Sequence, residues 1–248
     1  MIYLDNGATS YPKPDVVGDA VYDYIKNVGS NINRGGYAKA YSAAGVVLET
    51  REMISKMMNG YGSRYTIFTP GNTYSLNFLI KGIVRKGDKI LISGMEHNAV
   101  YRPAYQLEQE GLIEVGYMPC NERGELKLEE ALDMIDESVR AVVMVHASNV
   151  SGTLMPIREV GQRCHEKNVL FFVDAAQTAG NVPIDMKACH IDGLSLPGHK
   201  SMLGPQGIGA LLLNPAITGE LTPIISGGTG SHSDMAEMPE ELPDRFES

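Results

Sequence analysis

Seven short apolar runs rich in β-branched residues alternate with helix-length amphipathic segments along most of this chain. The runs fall at Tyr65–Thr69, Lys89–Ser93, Ile113–Met118, Ala141–His146, Val169–Val173, Gly193–Leu196 and Ile208–Leu213. Between most of them lie Thr73–Val84, Ala99–Gly111, Lys127–Asp136 and Ile157–Asn168, each bounded by glycine, proline or a polar capping residue. Strands joined through helices pair side by side in the same direction, and a sheet of that kind has to be covered on both faces. The pattern therefore predicts an α/β chain built on a mainly parallel seven-stranded sheet with helices on both faces. Two further helices, about Asp15–Val28 and Ser42–Asn59, precede the first run, and no internal repeat is visible. The stretch from Gly219 to Ser248 is dense in Gly, Pro, Ser and acids and reads as irregular. Three stretches follow: 1–60 as an N-terminal arm with helices, 61–218 as the sheet domain, and 219–248 as an irregular segment.

Composition narrows the function. A formal net charge of −9 over 248 residues argues against a nucleic-acid or anionic-membrane surface, which needs clustered Lys and Arg. Hydrophobic residues at 43% and charged residues at 21% are ordinary globular usage, while 27 glycines imply many tight loops that approach ligands. Met1 leads straight into the strand-like Ile2-Tyr3-Leu4, without the basic and apolar regions of a secretory signal, and no apolar run approaches the roughly 20 residues that span a bilayer. A cytoplasmic protein is expected. Cys120, Cys164 and Cys189 match neither a disulfide framework nor a zinc motif, and read as reduced, structural thiols.

Asp174 stands at the carboxyl end of Val169–Val173, the edge where open α/β sheets bind ligands. A carboxylate there suits the pyridine nitrogen of pyridoxal phosphate (PLP), although metal ligands, helix caps and ribose-binding acids occupy the same position. Lys200, in Leu196-Pro197-Gly198-His199-Lys200, follows the next run and emerges on the same edge. Beside apolar walls its amine would be held neutral and nucleophilic; in open solvent it would be an ordinary loop lysine. Thr69-Pro70-Gly71-Asn72-Thr73 joins a run to a helix, where free N–H groups receive a phosphate or simply cap a turn. His97 follows the run Lys89–Ser93, where an imidazole can stack on a cofactor ring. Asn149 and Gln177 follow two further runs, in reach of a ring hydroxyl or of solvent.

In this order and at these spacings, Tyr3-Leu4-Asp5-Asn6-Gly7-Ala8-Thr9, Gly71-Asn72-Thr73, Glu96-His97-Asn98, Ser148-Asn149, Asp174-Ala175-Ala176-Gln177 and Gly198-His199-Lys200 resemble the class V aminotransferase group of PLP enzymes, and within it the cysteine desulfurase and selenocysteine lyase-like proteins. The resemblance covers nearly the whole chain. It implies the large domain of a type I PLP-transferase over 61–218, with PLP as cofactor. It makes Lys200 the Schiff-base and catalytic lysine, Asp174 the partner of the pyridine nitrogen and His97 the stacking imidazole. Asn149 and Gln177 would contact the ring hydroxyl, and Asn72, Thr73 and His199 the phosphate. It further implies an amino-acid substrate, a sulfur-acceptor protein and a homodimer.

Three departures stand out. Pro197 occupies a position where desulfurases often carry a hydroxyl that donates to the phosphate. Tyr37, in Asn33-Arg34-Gly35-Gly36-Tyr37, stands where many relatives have a histidine near the substrate. The family continues past this length into a small C-terminal domain that supplies a mobile cysteine nucleophile and a carboxylate-binding arginine, and Arg245-Phe246-Glu247-Ser248 resembles the start of a motif reaching the partner subunit's phosphate. None of the three cysteines aligns with that nucleophile. The expectation is a cysteine desulfurase-like enzyme in complete form, inactive as these 248 residues alone, with a class V aminotransferase, a β-eliminating lyase and a non-catalytic fragment as the alternatives.

Overall fold

A computed structural model describes residues 2–32, 35–229, 231 and 236–247. Asn33 and Arg34 of the Tyr37 segment, and Ser248 of the closing tetrapeptide, lie outside the described residues. One seven-stranded sheet organises the chain: β1 (Thr66–Thr69), β2 (Asp88–Ser93), β3 (Ile113–Met118), β4 (Val139–Val145), β5 (Leu170–Asp174), β6 (Gly193–Pro197) and β7 (Gly209–Leu213). Their order across the sheet is β1-β7-β6-β5-β4-β2-β3. β3, β2, β4, β5 and β6 pair in parallel; β7 runs antiparallel to both of its neighbours, so β1 points the same way as β6. The expected mainly parallel sheet is what forms. The carboxyl ends of every strand except β7 consequently open on one edge.

The central strands are buried on both faces because each face carries helices, whereas the edge strand β3 alternates and exposes Glu114 and Tyr117. On one side α3 (Asn72–Ile83) and α4 (Asn98–Gln109) bury Leu76, Leu79, Ile83, Val100 and Ala104 against Ile90, Ile92, Val143, Phe172 and Leu211. On the other side α2 (Ala38–Met57), α5 (Leu128–Asp133) and α6 (Ile157–Lys167) bury Ile54, Ala131, Val160 and Cys164 against Val142, Met144, Phe171, Val173 and Leu212. Residues adjacent in β5, Phe171 and Phe172, thus enter opposite cores, as the two-residue period of a strand requires.

Helix boundaries differ from the sequence pattern in explicable ways. The Asp15–Val28 helix divides into α1 (Asp15–Asp23) and a wide π turn, Tyr24–Val28, that stops at Gly29 in the left-handed region. α5 is only six residues, shorter than Lys127–Asp136; Ala131 is its one fully buried residue, with Leu128 and Leu132 packed beside it. α6 ends as expected at Asn168, which takes the left-handed conformation (φ 55°) and donates its N–H back to the last turn.

The described residues after Ile217 form no further helix or strand, yet they are tied down. Glu247 makes a two-pronged ion pair with buried Arg51 of α2, at 2.7 Å for each prong, and also accepts the N–H of Phe68. β1 is an edge strand, so this carboxylate satisfies a donor that no neighbouring strand reaches. Phe246 packs edge-on against Phe78 of α3.

The tightest helix-to-loop approach is at Gly161 of α6. A Cβ there would fall inside the Cys189 carbonyl group and within 3.1 Å of the Phe171 ring. Alanine normally favours a helix interior by about 1 kcal/mol over glycine, but overpacking against backbone costs roughly 1–3 kcal/mol. Gly161→Ala should therefore destabilise the protein by roughly 1–2 kcal/mol. A lowered urea midpoint at unchanged slope is the expected reading, and a raised midpoint would show the α6 packing to be looser than described.

Candidate functional site

Five strand ends supply the walls of a cavity of about 720 Å³ on the carboxyl edge of the sheet. β1 leads into Pro70, Gly71, Asn72 and Thr73; β2 into His97; β4 into Ala147 and Asn149; β5 ends on Asp174 and continues to Gln177; β6 leads into His199 and Lys200. The eight residues singled out in the sequence, Asn72, Thr73, His97, Asn149, Asp174, Gln177, His199 and Lys200, all line this one cavity. Asp5, Gly7, Ala8, Gln206 and Gly207 are also among the lining residues, as is Pro197. Tyr37 is not part of it and is exposed.

The floor is a buried carboxylate. Asp174 is 1% exposed, and its Oδ1 accepts the Asn72 side-chain amide at 2.8 Å and the Ala176 N–H at 2.9 Å. Its Oδ2 accepts no hydrogen bond among the described residues. Burial pushes the Asp174 carboxyl above the usual carboxylate range, opposed by the Ala176 and Asn72 donors, by Lys200 and by His97. The same burial pushes the Lys200 amine below its ordinary value, with Asp174 pulling the other way.

The roof and ends are set by short hydrogen-bonded turns. His97 caps α4 by accepting the Ala99 N–H on Nδ1 at 3.1 Å, which leaves Nε2 as the protonated nitrogen of its neutral ring. At α3 the helix begins on Gly71 without a side-chain cap, so its first N–H groups are free toward the cavity lined by Asn72 and Thr73. The N-terminal segment folds over the β6 turn: the Ser10 N–H, the hydroxyls of Thr9 and Ser10 and the Lys13 ammonium all donate to the His199 carbonyl. Because the Thr9 hydroxyl spends its only hydrogen there, it can only accept from His199 Nδ1 at 3.1 Å. The neutral His199 ring is therefore held with Nε2 as its free acceptor. Gln177 Nε2 donates to the Gly7 carbonyl at 3.0 Å, which draws the same N-terminal segment onto the β5 turn.

Comparison with known proteins agrees with this geometry. The family model described as aminotransferase class V matches residues 2–248. The chain belongs to the class V aminotransferase family. It is 33% identical over 251 residues to a protein of Methanothermobacter thermautotrophicus named "Probable cysteine desulfurase", covering 100% of this chain and 62% of that one. It is 35% identical over 231 residues to the cysteine desulfurase IscS of Clostridium botulinum, covering 92% and 56% respectively. Among solved structures it superimposes on the apo cysteine desulfurase of Thermococcus onnurineus with a TM-score of 0.92 at 29% identity, over 100% of this chain and 62% of that one. The chain thus spans about 60% of the length of these relatives.

Class V aminotransferases are PLP-dependent enzymes, and the residues present fit that group. A buried carboxylate keeps one oxygen without a partner, a depressed lysine lies on the neighbouring strand's turn, and an uncapped helix start lines the same cavity. These are the three complements a pyridinium, an aldehyde and a phosphate require.

The sequence pattern missed three contributors. Gly7 and Thr9 act through hydrogen bonds to Gln177 and His199 that are 170 and 190 positions away, which no local spacing reveals. Glu96, beside His97, is enclosed between strand ends: its Oε1 accepts the Ser93 hydroxyl and, at 2.8 Å, the Val145 N–H, while Oε2 is buried with no partner. Burial pushes its carboxyl up to about 8, with Asp174 adding to the rise. An acid raised in this way is protonated in the folded protein and ionised in the unfolded chain between about 4.5 and 8. Its contribution to stability is complete below that window and is lost as pH rises through it. Glu96→Gln should flatten this loss, so that the fall in melting temperature from pH 5 to pH 8 is smaller than in the parent; an unchanged slope would remove Glu96 from the account.

Proposed function

We propose that this chain forms the PLP-binding large domain of a cysteine desulfurase-like enzyme, with Lys200 as the residue that carries the cofactor. The observation behind the reading is that Lys200 and Asp174 leave two paired strands, β6 and β5, into the same cavity, with an uncapped helix start in its lining. Bound there, the cofactor supplies an electron sink for charge developing at the α-carbon of an amino acid.

The chain's own residues do the rest in this reading. Asp174 Oδ2, which has no donor of its own, would accept the ring N–H. His97, at the start of α4, would stack on the ring. Asn149 and Gln177 would hydrogen-bond the ring hydroxyl. The N–H groups of Asn72 and Thr73 would hold the phosphate, and His199 would join them through Nε2 when its ring carries a second proton. Lys200, with its amine kept below its ordinary value, would be the nucleophile that anchors the cofactor and the base that moves the α-proton.

The substrate class is an amino acid, L-cysteine first, with sulfur passing to an acceptor protein. The working unit is a homodimer; α1 buries none of its residues, and α2 leaves Tyr41, Val46 and Met53 exposed, which suits an association surface. A cytoplasmic setting suits three unpaired thiols. Nucleic acid and membrane are not partners in this reading, in keeping with the net charge of −9 and with the lack, among the described residues, of a helix long and apolar enough to cross a membrane.

One observation favours a second reading, an aminotransferase or β-eliminating lyase that needs no thiol: Cys120, Cys164 and Cys189 are all absent from the cavity lining. Burial moreover pushes each of these thiols up, away from the thiolate that attacks sulfur.

Adding PLP to the purified chain should give the yellow absorbance of lysine-bound pyridoxal, fixed by borohydride at Lys200, and Lys200→Ala should not develop it. A band of equal strength in the variant would end the assignment. With L-cysteine, no sulfide is expected from these 248 residues, because no thiol lines the cavity. Keto acid without sulfide would favour an aminotransferase, sulfide with equal pyruvate and ammonia would favour a β-eliminating lyase, and alanine formed together with sulfide in the presence of a reductant would show that a described cysteine reaches the site.

A further inference from the structure

Asn72 opens α3, yet its side chain is not spent on the helix end. α3 has no side-chain cap, and Asn72 Nδ2 instead donates to Asp174 Oδ1 at 2.8 Å, joining positions 102 apart in the chain. Ala176 N–H donates to the same oxygen at 2.9 Å. Two donors pin Oδ1 while Oδ2 has none among the described residues, so the rotation of the carboxyl group is fixed and a single oxygen is left for a ligand. The amide cannot be reversed, since its oxygen would then face a carboxylate. Asn72 Oδ1 is left buried and without a partner, an arrangement that makes sense only if the contact to Asp174 outweighs it.

We propose that Asn72 is a positioning residue for Asp174: its amide solvates the buried carboxylate and aims the other oxygen into the cavity, while its backbone serves the phosphate end. The contribution to Asp174's charge is a property of the protein without cofactor; only the effect on the ring rests on the PLP reading. The other groups that act on Asp174 are Lys200 from the β6 turn and His97 from the start of α4, which favour its charged form, and Glu96 after β2, which opposes it when ionised. Asn72 is the one neutral side chain that donates to it among the described residues.

The two effects are separable by experiment on the full chain. Asp174 already sits above the usual carboxylate range. Losing a donor raises it further, so the folded protein holds its proton to higher pH and forfeits stability as pH rises. In cofactor-free protein, the gap in melting temperature between Asn72→Ala and the parent should therefore widen as pH rises through the titration of Asp174 in the parent. A role in shape alone would give the same gap at every pH. Asn72→Asp keeps the shape and sets a second carboxylate against the first, so it should track the parent at pH 5 and fall away more steeply. It also decides the matter if the alanine variant folds poorly. Titrated with PLP, Asn72→Ala should bind about tenfold more weakly, the loss expected for a hydrogen bond to a charged group. A gap independent of pH in both variants would overturn the proposal whether or not PLP binds, and parent-like PLP affinity in Asn72→Ala would overturn its second half. A widening gap in a protein that binds no PLP would leave the clamp standing and remove only the cofactor reading.

Discussion

A carboxylate buried at the end of β5 is the constraint around which the candidate site is arranged. Asp174 lies between β4 and β6 with 1% of its surface exposed, and an ionised carboxylate in such a place is expensive unless donors and positive charge surround it. The chain meets that demand from three directions. Ala176 turns its N–H back, Asn72 reaches across from α3, and Lys200 contributes charge from the turn after β6. Each of these elements is fixed by a different strand, so the sheet order is what makes the compensation possible. Were β6 not paired with β5, Lys200 would have no reason to face Asp174.

The same arrangement separates two acids that share one neighbourhood. Glu96 accepts only neutral donors, from Ser93 and Val145, and is pushed up to about 8; Asp174 has an amide, a backbone N–H and the Lys200 ammonium opposing the effect of burial. One is thereby a strut between the ends of β2 and β4, and the other a carboxyl group whose second oxygen is left available to a ligand. Proximity alone would have made them compete for one proton, as like charges do. Their partners, not their residue type, decide which role each takes.

How much of this could be read from the sequence follows from the range of each interaction. The strands were legible because most are apolar runs, and Asp174, His97 and Lys200 because each stands at or a few residues past the end of such a run. Burial on both faces, a property of the finished sheet, left that mark directly in the residue pattern. α5 was drawn too long because its apolar pattern continues through Met134 and Ile135, which pack on the core from beyond the end of the helix. Glu96 carried no signal of its own: an acid beside a histidine is ordinarily solvated, and only the closing of β2 against β4 encloses it.

Thr9 and Gly7 belong to the same class of hidden contributor, and they show what the N-terminal segment is for. Four donors from residues 9–13 converge on one carbonyl, that of His199, immediately before Lys200. A carbonyl has two lone pairs, so this is more donation than it needs for satisfaction alone. The excess is understandable as geometry: the turn after β6 is held from outside the sheet at the residue preceding the lysine, so that Lys200 is presented from a backbone it cannot drag with it. The Thr9 hydroxyl goes further and selects the protonated nitrogen of the His199 ring. A segment that forms no strand and adds little to either core thereby holds both the His199 ring and the backbone that presents Lys200 to the cavity.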